Sequence, residues 1–181
     1  MWRLSIIAGM AIASGLGSAC FAQDPGRAIR FIGEFSNLRH TEEHAYGYAV
    51  ELWRDGDSTI GLIFASQGMN EDMPAGMLEN VRFDSRTGAF RFTAKLSMGA
   101  TLLPGGGQEP SRDLFEFSGA LKAAVLTGEL KWSDPRKPTR PASRERVQLK
   151  IQRQEDVPPA GSYAEWKRWA GEILKARGPR W

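Results

Sequence analysis

The chain is predicted to be all-β: an eight-stranded antiparallel up-and-down barrel with a C-terminal α-helix packed on it. Three observations carry this. Apolar residues alternate with polar ones in eight separate runs, the period of strands buried on one face. Short and long connections alternate along the chain, which in a meander puts every tight turn at one end and every long loop at the other. Eight strands that share one apolar face remove their open edges by closing into a barrel.

The runs are, in order, Phe31 to Phe35; Tyr46, Tyr48, Val50 and Leu52; Ile60, Leu62 and Phe64; and Val81 with Phe83. They continue with Phe90, Phe92, Ala94 and Leu96; Phe115 with Phe117; Leu126, Gly128, Leu130 and Trp132; and Val147, Leu149 and Ile151. Tight connections are expected at Asp55-Gly56-Asp57, at Asp84 to Gly88 and at Gly119 to Ala123. The long ones are residues 38–43, 66–77, 97–112 and 133–143. Such a barrel has one end ringed by loops, the geometry of a cup. The many inward Phe residues fit a filled interior at least as well as a hollow one.

The helix is marked by its ends. Ser162-Tyr163-Ala164-Glu165 is a capping box, Lys175 and Arg177 suit the C-terminal dipole, and Gly178-Pro179 is a stop. Trp166, Ala170, Ile173 and Leu174 form an apolar stripe, expected to cover a wall carrying Val125, Thr93 and Ile63, with Lys167 and Glu172 outward. Val157-Pro158-Pro159 links barrel and helix. The chain thus divides into residues 1–22, 23–156 and 157–181.

Residues 1–22 read as a cleavable signal peptide. Arg3 precedes an uncharged run from Leu4 to Ala19, and Cys20 and Ala22 suit the −3 and −1 positions of a cleavage site. The run is shorter than the roughly 20 residues that span a bilayer. An exported protein, periplasmic or secreted, is the expectation. Leu16 to Cys20 also resembles a lipobox, so lipid anchoring at Cys20 is the alternative. Cys20 is the only cysteine, so no disulfide framework supports the fold.

Charge is unevenly spread. Residues 23–134 hold 11 Lys and Arg against 16 Asp and Glu, whereas residues 135–181 hold 12 against 5. The basic, proline-rich stretch from Pro135 to Pro141 offers Arg136, Lys137 and Arg140 to an acidic envelope partner. No aromatic residue interleaves it, as a nucleic-acid stacking platform requires, and export argues the same way, so no nucleic acid is expected.

Gly33-Glu34-Phe35 on the first strand resembles the Gly-x-Trp signature of lipocalins and their avidin-like relatives, with Phe35 where Trp is usual. The resemblance implies an exported barrel binding a small apolar molecule, and an Arg near the last strand, Arg144 or Arg146, packed on the Phe35 ring.

Chemistry-bearing clusters are few. His40, Glu42 and His44 would share a face on an uninterrupted strand and could ligate Zn2+, but they fall near a turn, so no metal is expected. With no Ser-His-Asp arrangement, cysteine nucleophile or cofactor fingerprint, no enzyme and no cofactor are expected. Ligand contacts are expected instead from Met69, Met73, Met77, Leu102 and Leu103 on the loops and from Tyr46 and Tyr48 on the second strand. The Thr101 to Gly107 stretch reads as a mobile rim element. The functional expectation is an exported binding protein taking a small apolar ligand or lipid moiety at the looped end. The alternative is an envelope interaction or inhibitor protein with a filled barrel, using residues 66–77, 97–112 and 133–143 as contact surface.

Overall fold

The computed structural model describes residues 28–69, 73–153 and 161–181. The expected signal peptide, the lipobox cysteine and the Val157-Pro158-Pro159 linker lie outside them. Eleven strands run β1 (Arg30–Ser36), β2 (Arg39–His40), β3 (His44–Asp55), β4 (Ser58–Met69), β5 (Ala75–Phe83), β6 (Ala89–Leu96), β7 (Ala100–Leu102), β8 (Gln108–Pro110), β9 (Asp113–Lys122), β10 (Val125–Ser133) and β11 (Ser143–Ile151). They are followed by α1 (Tyr163–Arg177). Eight of the strands form the barrel in the order β1-β11-β10-β9-β6-β5-β4-β3, and β3 returns to β1. All pairs are antiparallel. The eight runs of the sequence are these eight strands.

The seam is narrow. β1 meets β11 only through Phe35 opposite Ile151 and Ser36 opposite Lys150. Nearer the loops the Tyr48 hydroxyl donates to Glu145 Oε2 at 3.0 Å across the same seam. Burial, then the bond to the Glu145 carboxylate, pushes the Tyr48 phenol well above its ordinary value.

The interior is filled. Phe35, Phe90, Phe92, Phe115 and Phe117 pack with Val50, Leu52, Leu126 and Leu149 in one buried cluster. Phe92 and Phe117 stack at 5.2 Å, and Phe115 stacks on Trp132 at 5.9 Å. Gly119 and Gly128 stand opposite each other on β9 and β10. A Cβ on Gly128 would come within 2.7 Å of the Phe117 ring, so the missing side chain is the space that the ring occupies.

A second cluster lies outside the barrel. Ala49, Trp53, Leu62, Phe64 and Ala75 on the outer wall meet Trp166 and Ala170 of α1, with Ile173 and Leu174 half-buried beside them. Ser162 caps the helix and Glu165 returns the bond, completing the capping box. Lys167 and Glu172 are exposed, as expected from the stripe. The helix starts beside Ala28, near the tight-turn end, and the chain after it reaches the looped end, where Trp181 Nε1 donates to the Leu96 carbonyl at 2.8 Å.

Three expectations change. On β4 the interior residues are Ile63 and Ala65, while Ile60, Leu62 and Phe64 face the helix. β4 is apolar on both faces because both are covered, and period 2 cannot choose between two buried faces. The wall beneath α1 is therefore not the one carrying Val125, Thr93 and Ile63. The turn expected at Gly119 to Ala123 is the two-residue loop Ala123-Ala124, with φ of 45° and 65°, because Gly119 pairs within the ladder. Loop 66–77 shortens from both sides, since β4 runs to Met69 and β5 begins at Ala75.

Candidate functional site at the looped end

The long connection 97–112 is not a plain loop. Ala100 to Leu102 pairs with Gln108 to Pro110 as a small ribbon. Its base is pinned by Asp113, whose Oδ2 accepts from the Met98 amide at 2.9 Å and from the Ser111 hydroxyl. Ser97 Oγ donates to the Ser111 carbonyl at 2.9 Å and accepts from the Arg180 amide at 3.2 Å, so the ribbon and the chain end are tied to one point. The Lys95 ammonium lies 5.5 Å from the centre of the Trp181 ring.

Arg136 ties the ribbon to the segment after β10. Its guanidinium pairs with Glu109 on β8 and with Asp134 at 3.2 Å, and lies 3.4 Å from the Thr101 hydroxyl. Its bond to the Asp134 side chain holds the guanidinium above its ordinary value and the carboxyl below its own. Arg136 is thus engaged within the molecule. Lys137 sits 3.6 Å from Asp134, and Arg140 is exposed.

Between this ribbon and the end of α1 lies a cleft of about 450 Å³, within the size range of small-molecule sites. Met73, Met98, Pro110 and Ala176 give it apolar surface, and Arg177 and Arg180 give it positive charge. A second cavity of about 550 Å³ shares Met73 and Arg177 with the first and continues beneath α1 towards Glu51. Neither of these two cavities is lined by a Phe of the barrel interior.

The residues expected to contact ligand separate. Met73 lines the cleft. Met77 is half-buried on the outer wall beneath α1, because β5 takes it out of the loop. Leu102 and Leu103 are 75% and 41% exposed at the ribbon tip and are not among the residues that line the cleft. Tyr46 is 49% exposed and stacks on His44 at 6.0 Å, whereas Tyr48 points into the barrel. Met69 ends β4, and its side chain lies outside the described residues. Met98, Ala176, Arg177 and Arg180 were not expected; the last three belong to a helix end whose charges and Gly-Pro pair mark only a stop.

Other expectations resolve similarly. His40 and His44 lie on different strands with Glu42 in the turn between them, so their alternation does not create a shared face. Among the described residues no three His, Cys, Asp or Glu side chains gather closely enough to hold a metal ion. Arg144 is exposed and donates to Glu129 at 2.7 Å, and Arg146 is exposed. Phe35 lies opposite Ile151, five and seven residues along β11 from these arginines, roughly 17 and 23 Å at strand rise. The Phe35 ring therefore packs among interior side chains rather than beneath either arginine. No described helix is long and apolar enough to cross a membrane. No protein-family model, curated protein or solved structure matches this chain.

Proposed function

We propose that this chain is an exported binding protein whose ligand, a small apolar molecule or lipid moiety, occupies the cleft between the β7–β8 ribbon and the end of α1. The carrying observation is the cleft itself: about 450 Å³, at the looped end, with Met73, Met98, Pro110 and Ala176 supplying apolar surface and Arg177 and Arg180 in its lining. Those cations favour an acidic head group on the apolar body. The filled interior argues for this outer cleft over a lipocalin-style central cavity. Kinship with lipocalins is supported by the closed eight-stranded meander, the helix after the last strand and Gly33-Glu34-Phe35. Export rests on the character of residues 1–22. The test is native mass spectrometry of protein purified from its own host, with Ala176→Trp as the cleft-filling variant. A retained small molecule lost from the variant is expected. An equal load on both, or none on either, rejects the reading.

The filled interior and the exposed Leu102 and Leu103 favour a second reading, an envelope interaction or inhibitor protein whose contact surface is the ribbon tip with Lys137 and Arg140. Under it, Leu102→Ser with Leu103→Ser abolishes capture of a protein from envelope extract while leaving small-molecule retention unchanged. Capture unaffected by both changes removes it.

A further inference from the structure

We propose that the cavity between α1 and the outer wall is a second site, which takes an apolar molecule carrying an amine and seats the ammonium against Glu51. The cavity measures about 550 Å³, and Leu38, Ala49, Phe64, Met73 and Ile173 form its apolar walls. Glu51 enters it from the middle of β3, flanked on the same face by Ala49 and Trp53, both buried against the helix. Packing alone calls for an aliphatic residue there. Instead a carboxylate stands in the stripe, and its Oε2 is buried with no hydrogen-bond partner among the described residues. Most buried polar atoms find one.

The neighbours define what would satisfy it. Glu34 lies directly opposite Glu51 across the β1–β3 ladder. From α1, Glu172 and Arg177 line the same cavity, while β4 contributes Phe64 and the loop before β5 contributes Met73, neither of them charged. No ion pair joins Arg177 to Glu51 or to Glu172 among the described residues. What Glu51 lacks is a donor at its buried Oε2. An ammonium supplies that donor together with a charge opposite to that of the ionised carboxylate. Burial, and then the Glu34 charge, raises the Glu51 carboxyl to about 7. The seat is therefore ionised at pH 8 and largely protonated at pH 6, while an alkylamine stays cationic at both.

The cavity shares Met73 and Arg177 with the looped-end cleft, but Glu51 lines only the cavity and Ala176 only the cleft, so the two proposals fail separately. The probes are octylamine, octanol and octanoate, equal in chain length and different in head group, titrated calorimetrically into the full mature chain. Octylamine is expected to bind at pH 8 at least tenfold more tightly than either other probe, and about tenfold more weakly at pH 6. Glu51→Gln is expected to lose at least tenfold in octylamine affinity while melting cooperatively, and Ala176→Trp to bind octylamine as the parent does. Octanol binding as tightly as octylamine, or Glu51→Gln retaining the amine, overturns the proposal. A second measurement is independent of variants: the carboxyl 13C titration of Glu51 is expected to move to lower pH when octylamine is present. An unmoved titration at saturating amine overturns it equally.

Discussion

Trp53 of β3 and Trp166 of α1 meet edge to face on the outside of the barrel, their ring centroids 5.9 Å apart and their planes at 62°. Trp169 approaches the same Trp53 ring at 5.2 Å, and Phe31 closes a third side at 5.1 Å. A 15-residue helix is marginal alone in water, and contacts of this kind give it stability. Trp166 is 2% exposed, so Trp166→Ala removes a fully buried ring and is expected to cost about 3–5 kcal/mol in urea unfolding. Neither indole N–H has a partner among the described residues, so Trp166→Phe forfeits contact area alone and should cost much less. A variant that unfolds like the parent yet loses liposome binding would make the helix a membrane element.

The architecture was legible because its signals are local. Eight period-2 runs, the Asp84 to Gly88 turn and the Ser162 to Glu165 capping box each state their geometry within a few residues. Gly88 has φ of 77° and its amide donates to the Asp84 carbonyl, as such a hairpin requires. What was not legible depends on what covers a surface. Leu62 and Ile63 are adjacent, equally apolar and both buried, and only the position of α1 says which one faces the core. The cleft was hidden for the same reason. Met98, Ala176 and Arg180 come from segments 78 or more residues apart, brought together by barrel closure and by the Arg180–Ser97 bond.

The Ala123-Ala124 hairpin holds two non-glycine residues at positive φ. This left-handed backbone costs an L-residue roughly 1–2 kcal/mol, and Asn-Gly is the pair that adopts it most readily. Ala123→Asn with Ala124→Gly is expected to stabilise the barrel by about 1 kcal/mol, seen as a higher urea midpoint at constant slope. The turn lies at the end opposite the cleft, so ligand retention should not change.

The Gly128–Phe117 relationship predicts the reverse. A methyl group at Gly128 would sit 2.5 Å from the Ser118 carbonyl oxygen and 2.7 Å from the Phe117 ring. Gly128→Ala is expected to destabilise by about 1–3 kcal/mol through overpacking. Adding Phe117→Leu should recover part of that loss, a coupling that a double-mutant cycle measures. Simple additivity would show that the ring does not depend on the glycine.

Arg136 predicts a local effect without a global one. Its ion pairs are partly exposed, and such pairs contribute little to stability. Arg136→Ala should therefore leave the melting temperature nearly unchanged. The Ala100 to Leu102 amides, held between Arg136 and the Asp113 anchor, should exchange hydrogen faster. Unchanged exchange would assign the ribbon's order to Asp113 alone.

Glu51 predicts the direction in which stability follows pH. Its folded carboxyl lies near 7, against 4.5 for the same group in an open chain, because burial and the Glu34 charge disfavour the anion. Between those values the folded protein holds a proton that the unfolded chain has released. By linkage, stability then falls as pH rises. The contribution is fully present below about 4.5 and is lost as pH passes through about 7. The shift corresponds to something on the order of 3 kcal/mol. Glu51→Gln cannot ionise, so it should match the parent near pH 5 and exceed it at pH 8. Urea midpoints measured at both values decide the matter. Parent and variant curves that stay parallel across the range would show that Glu51 is ordinarily ionised in the folded protein and has found a partner there.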